Sequence, residues 1–146
     1  MTGGSPTAAT DKPAGFVFDS YAILALLGGE EGAGEVAQLL SGGSPHLLMT
    51  YVNLGEVLYA VIRERGQDRA DTALLALESS RLAFVPAERA LTLEAARLKA
   101  RHRISYADAY CAALARLTDL PVVTGDPEFN QLTGQVRLRW IGPASS

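Results

Sequence analysis

The chain has 146 residues, 48% of them hydrophobic and 20% charged, the size and balance of one globular domain and not of a disordered or fibrous chain. A formal net charge of −3 offers no chain-wide attraction for nucleic acid, so any such binding must rest on a local patch. No apolar run reaches membrane-span length, the opening MTGGSPTAATDKPAG lacks the regions of a secretory signal, and the one cysteine, Cys111, cannot form an internal disulfide. A cytoplasmic protein without membrane contact is expected.

Residues 1–14 are rich in Gly, Ser, Thr and Pro and are expected to be disordered, as is a flexible tail over 142–146, leaving one domain over 15–141. FVF (16–18) reads as a buried strand, followed by a helix from Ser20 to Leu27. EVAQLL predicts a short helix and HLLM (46–49) a second strand. In TYVNLGEVLYAVIRERG the helical spacing sets Leu54, Leu58, Val61 and Ile62 on one face, and Gly66 ends the helix. DRADTALLALES is another helix and RLAFV (81–85) a third strand. AERALTLEAARLKARH predicts an amphipathic helix and SYADAYCAALARL a buried one, in which Cys111 is a small apolar filler. PVVT (121–124) and VRLRW (136–140) complete the strands. Strands alternating with helices predict an α/β fold: a central, mostly parallel sheet of about five strands with helices on both faces.

Four carboxylates fall at comparable positions in this pattern. Asp19 follows FVF directly, and Asp126 follows PVVT and one glycine. Glu56 lies early in the helix after the second strand, three residues past Asn53 and so on the same side. Asp108 is the lone charge in the otherwise apolar ISYADAYCAALA (104–115). Ligand sites of open α/β sheets lie beyond the carboxyl ends of strands, and if strands one and four are neighbours Asp19 and Asp126 face each other across a switch point. Each acid also has a purely structural reading. Asp19 is a good helix N-cap, Ser105-x-x-Asp108 matches a capping box, Asp126-Pro127 suits a turn, and Glu56 is a boundary residue near Arg63.

Capping alone does not require all four acids to converge on one end of the sheet. Two unit charges about 4 Å apart repel by roughly 4 kcal/mol at an effective dielectric near 20, so a converging set needs shared protons or a cation. The only lysines, Lys12 and Lys99, do not follow strand ends. Oxygen donors without neighbouring His or Cys suit Mg²⁺ or Mn²⁺, and such an ion binds phosphate oxygens and activates water. The two histidines, His46 and His102, complete no Ser-His-Asp or Cys-His set. GAGEVA (32–37) matches a dinucleotide fingerprint in form but does not open from a strand, and no phosphate-binding G-x-x-x-x-G-K-[ST] loop occurs. Tyr at position 21 argues against a haloacid-dehalogenase-like phosphatase. DS after the first strand and WIG after the last argue against a response-regulator receiver.

FVFDSYAILALL, VNLGEVLY, RLKARHRISYADAYCAALA and PVVTGDPEF together resemble, in the same order, the PIN-domain family and within it the VapC toxins of bacterial type II toxin–antitoxin systems. The resemblance spans residues 15–141. It implies a PIN-like three-layer fold and Mg²⁺- or Mn²⁺-dependent cleavage of RNA, single-stranded or structured. It carries Asp19, Glu56, Asp108 and Asp126 over as the acidic, metal-binding site, with Asp19 and Asp108 foremost as direct ligands. Ser20, Asn53 and Thr124 are the supporting residues. Tyr21 departs from the Asp-Thr-Ser that many relatives carry at 19–21. The resemblance further implies a homodimer silenced by a small cognate antitoxin whose tail enters the active-site groove. A PIN-like module that binds RNA or a partner without cutting is the alternative, and a nuclease acting on DNA or structured substrates is a third.

Arg97, Lys99, Arg101, His102 and Arg103 crowd the end of one helix just before Ser105. Cations there offset the helix dipole. The functional reading makes Arg97, Lys99, Arg101 and Arg103 candidate RNA contacts that offset the negative rim of the acids.

Overall fold

The structure, a computed structural model, describes residues 14–142. The expected disordered ends, 1–14 and 142–146, lie outside the described residues except for Ala14 and Gly142. Among the described residues five strands form one sheet: β1 (Gly15–Phe18), β2 (His46–Thr50), β3 (Ala83–Val85), β4 (Val122–Thr124) and β5 (Leu138–Trp140). All pairings are parallel, in the order β3-β2-β1-β4-β5. Six α-helices join them: α1 (Ser20–Gly28), α2 (Ala33–Ser41), α3 (Tyr51–Arg65), α4 (Gln67–Glu78), α5 (Arg89–Arg101) and α6 (Tyr106–Thr118), with a 3-10 turn at Pro127–Leu132. The predicted α/β class, strand count and helix order therefore hold.

The short central strands are apolar on both faces, as burial under two helical layers requires. Alternation along the strand sorts the side chains. Val17 and Val122 pack with α5, α6 and Phe129 in one core. Phe16, Phe18, Leu47, Met49 and Val123 pack on the opposite face with apolar side chains of α1 to α4. Cys111 is free and fully buried in the first core. One detail of α3 differs from the sequence expectation. Its buried stripe is Asn53, Leu54, Val57 and Val61, while Ile62 is exposed. At 100° per residue Ile62 has already rotated away from a stripe centred on Val57.

The strand order decides where a site can form. From β1 the chain moves outward to β2 and β3, then crosses back to place β4 on the other side of β1. The seam between β1 and β4 is thus the point where strand order reverses, and the segments leaving both strands diverge there into a crevice.

Candidate functional site

Asp19 leaves β1 at this seam and its backbone still follows the sheet, donating its amide to the carbonyl of Val123 at 3.2 Å. Its side chain is fully buried and used at both oxygens. Oδ1 accepts the amide of Ala22 at 2.8 Å, capping α1. Oδ2 accepts the hydroxyl of Thr124 at 2.5 Å, and the same hydroxyl oxygen accepts the amide of Asp126 at 2.9 Å. Thr124 therefore ties the end of β4 to the end of β1. The capping and site readings of Asp19 are both compatible with this geometry, because a carboxylate offers about four lone-pair sites and these two bonds use only one on each oxygen.

Asp108 stands in the first turn of α6 and is buried. Only half of the capping box forms. Ser105 Oγ accepts the Asp108 amide at 3.0 Å, but the Ser105 amide donates to Glu128 Oε1 at 3.4 Å instead of to Asp108. The Asp108 carboxyl joins Asp126 and Glu128, one oxygen of each lying within 4.8 Å of the others. Asp126 also caps the 3-10 turn by accepting the Glu128 amide at 2.9 Å. Glu128 is absent from the sequence-based set. The available signal was Asp126-Pro127-Glu128, since Pro opens a helical turn there and helical side chains tilt toward the N-terminus, setting Glu128 near its cap.

Glu56, half-buried on α3, is not part of that close triplet, nor is Asp19. Their charges still reach each other, for Asp126 and Glu56 both act on Asp19. Asn53 fixes the helices that bear these acids. Fully buried, it accepts the Thr50 hydroxyl at Oδ1 (2.5 Å) and donates from Nδ2 to Ser20 Oγ and to the carbonyl of Ala107, both at 3.1 Å. Ser20 Oγ donates in turn to the Asn53 carbonyl at 3.3 Å. One amide thus joins α1 beside Asp19, α3 below Glu56 and α6 beside Asp108. Thr50, which also caps α3, is a second residue absent from the sequence-based set; its signal is the T-x-x-N spacing at a helix start.

Electrostatics set the requirement of the site. Burial pushes the Asp19 carboxyl up to about 7, against the opposing pull of Thr124 and Ala22, and the charges of Asp126 and Glu56 add to the rise. Burial, a hydrogen bond with the Glu128 carboxyl and the charges of Asp126 and Asp19 push Asp108 up to about 8. Among the described residues, the ion pairs join Arg97 and Arg116 to Glu94, Arg137 to Asp119 and Arg139 to Glu35. None involves Asp19, Glu56, Asp108, Asp126 or Glu128. At 4.8 Å each ionised pair repels by roughly 3 to 4 kcal/mol at an effective dielectric near 20. The cluster therefore takes up protons or an external cation. Its donors are all oxygen, and they fit a hard divalent ion such as Mg²⁺ or Mn²⁺.

A second feature adjoins the acids. Lys99, Arg101, His102, Arg103, Ser105 and Glu128 line a cavity of about 680 Å³, so the basic end of α5 and the acidic cluster share Glu128. The Arg103 backbone is pinned there by Gln131, whose Oε1 accepts its amide at 3.1 Å and whose Nε2 donates to its carbonyl at 2.9 Å. Arg97 is placed differently, in an exposed pair with Glu94 at 3.2 Å, and does not line this cavity.

No curated protein sequence matches the chain. Among solved structures it resembles Mycobacterium tuberculosis VapC20, a Sarcin-Ricin loop cleaving toxin, with TM-score 0.71 and 22% identity over 85% of this chain and 98% of that one. It resembles the DNA-bound VapBC of Salmonella typhimurium with TM-score 0.69 and 18% identity over 86% and 97%. VapBC-5 of Mycobacterium tuberculosis, described as a toxin–antitoxin system, matches with TM-score 0.62 and 21% identity over 89% and 99%. At these identities the likeness is one of fold. The PIN-domain family model matches residues 16–135, most of the chain, and the protein belongs to the PIN-domain family.

Proposed function

We propose that this chain is a Mg²⁺- or Mn²⁺-dependent endoribonuclease and the toxin of a type II toxin–antitoxin pair. The observation that carries the proposal is a group of carboxylates at the switch point, two of them buried, with no basic partner among the described residues. A module that only binds RNA has no use for such a group, since bare carboxylates repel phosphate.

Asp108 and Asp126 would hold the ion with Asp19, which the family resemblance puts foremost; Glu128 lies within 4.8 Å of Asp108 and Asp126, and Glu56 adds to the negative field. When bound, a divalent ion supplies a water nucleophile at neutral pH and charge compensation for the phosphodiester. The chain's own residues do the rest. Thr124 and the Ala22 amide hold Asp19 in one orientation. Asn53 keeps the acid-bearing helices in register. Glu128, beside Asp108 and Asp126, can accept a proton from an attacking water. Lys99, Arg101 and Arg103 grip backbone phosphates beside the acids.

VapC20 and the two VapBC structures among the solved neighbours support a small antitoxin as the partner; the homodimer rests on the family resemblance alone. Expression of the chain alone is expected to arrest growth, with relief when a neighbouring antitoxin gene is supplied. The decisive experiment is cleavage of RNA by the purified chain in Mg²⁺ or Mn²⁺, with and without EDTA. Cleavage abolished by EDTA and restored by the ion is the expected result. Undiminished cleavage in EDTA removes the metal from the proposal, and metal-loaded protein that binds RNA without cutting it makes this a binding module.

A further inference from the structure

Tyr21 lies in the first turn of α1, two residues after Asp19, and 45% of its surface is exposed. An exposed tyrosine by itself asks for no explanation. The placement of this ring does. A Cβ built on Gly125 would stand 2.4 Å from Tyr21 Cε1, 3.0 Å from Cδ1 and 3.1 Å from Cζ. The ring therefore rests on the main chain of Gly125 at a distance that any side chain there would occupy. Gly125 is the residue between Thr124, which holds Asp19, and Asp126. One edge of the ring is thus seated against the loop that carries Asp126, while nearly half of the residue's surface stays exposed.

We propose that Tyr21, seated on Gly125, is a stacking platform for one unpaired nucleobase next to the phosphate that is cut. This rests on the nuclease reading given above. A phosphodiester held at the acids places its flanking sugars and bases within a few ångströms of the rim, and part-exposed Tyr21, held against Gly125, borders that rim. Base–aromatic stacking is tolerant of base identity and needs a base whose face is free, so the platform selects single-stranded over paired RNA. The same ring lines an apolar groove of about 430 Å³ between α1, α3 and α4, so a role in that groove is the competing outcome.

The test is steady-state cleavage of a single-stranded oligoribonucleotide by the full chain in Mg²⁺, alongside copies carrying one abasic nucleotide at successive positions. Tyr21→Leu keeps apolar bulk and removes the π face. It is expected to raise KM by about 5- to 150-fold, the range for removal of one stacked base, with kcat changed far less. Tyr21→Phe is expected to recover most of that effect. One abasic position beside the cut should impair the wild type to a similar degree and leave Tyr21→Leu no worse. Tyr59→Leu, at a comparably exposed tyrosine on α3, should leave KM as it was. A KM untouched by Tyr21→Leu, a loss confined to kcat, or an equal loss in Tyr59→Leu overturns the platform and returns Tyr21 to loop positioning or to the groove. A wild-type chain that cleaves no RNA in either ion fails earlier, at the nuclease reading, and takes this proposal with it.

Discussion

Thr124 donates its hydroxyl to Asp19 Oδ2 across the seam between β4 and β1, 105 residues apart in sequence. Its oxygen at the same time accepts the amide of Asp126. One hydroxyl therefore orients one acid of the site and the loop bearing another. Thr124→Val keeps the shape and removes both bonds. Removing such a supporting hydrogen bond typically costs 10- to 100-fold in metal affinity or activity, and that is the expected range for Mn²⁺ affinity measured by calorimetry, with Thr124→Ser near wild type. A Thr124→Val chain that binds Mn²⁺ as tightly as wild type would show that the hydroxyl serves only the fold.

Asp108→Asn leaves the α6 cap intact, because the bond to Ser105 Oγ comes from the Asp108 backbone amide. It removes one charge from a like-charged cluster. The metal-free variant is expected to be more stable than metal-free wild type at pH 8, by roughly 1 kcal/mol or more, because Asn needs no proton to be neutral, while RNA cleavage is lost. Urea denaturation in EDTA reads the first effect. A loss of more than about 1 kcal/mol would instead give the carboxylate a structural role.

The pH dependence follows from Asp19 and Asp108, raised to about 7 and about 8 from an unfolded value near 4. The folded state binds these protons more tightly than the unfolded chain. Their contribution to stability is therefore complete below about pH 4 and is lost as pH rises through about 7 to 8, each proton giving a slope of about −1.4 kcal/mol per pH unit in between. A divalent ion competes with the same protons, so its affinity and its stabilising effect should rise over this interval. Melting curves from pH 5 to 8, in EDTA and in Mn²⁺, test both. The reading is wrong if Mn²⁺ stabilises the protein equally at pH 5 and pH 8.

Asn53 makes hydrogen bonds to three different segments from a fully buried position. Asn53→Ala leaves the Thr50 and Ser20 hydroxyls and the Ala107 carbonyl without that partner. The expected destabilisation is roughly 2 to 4 kcal/mol, visible as a lower urea midpoint, with weaker metal binding because the helices bearing the acids lose their common tie. An unchanged midpoint would mean that water replaces the amide at no cost.

Arg101 and Arg103 line the basic cavity, and the Arg103 backbone is held by Gln131 whatever its side chain. Arg101→Ala with Arg103→Ala is therefore expected to fold normally. Single-strand RNA binding should weaken, and its salt slope should flatten by roughly 0.7 log units per log unit of salt for each phosphate no longer gripped. Arg97→Ala, whose parent side chain is engaged with Glu94 outside the cavity, should change the slope little. Equal slopes for the double variant and wild type would assign the arginines to helix capping.

The class of fold was legible in the sequence because strand and helix differ in period, and the alternation of FVF, HLLM, RLAFV, PVVT and VRLRW with longer helical runs leaves few topologies. The positions of Asp19 and Asp126 just past two strands were equally local. So was the anomaly of Asp108, a single charge in an apolar helix. Strand order was not local. Only the tertiary structure makes β1 and β4 neighbours, and that adjacency brings two loop acids to one crevice. Glu128 and Thr50 are not legible in the sequence because their signals are short and common, and their value comes from what they face: the Ser105 amide and Asp108 for the first, Asn53 for the second. Ile62 failed in the other direction, since a helix's buried face is set by the partner it packs on and not by composition alone. Local patterning thus determined the elements and named the acids. The convergence of the charges, and with it the need for a proton or a metal, was decided by packing, because Coulomb energy depends on distances that the chain order does not contain.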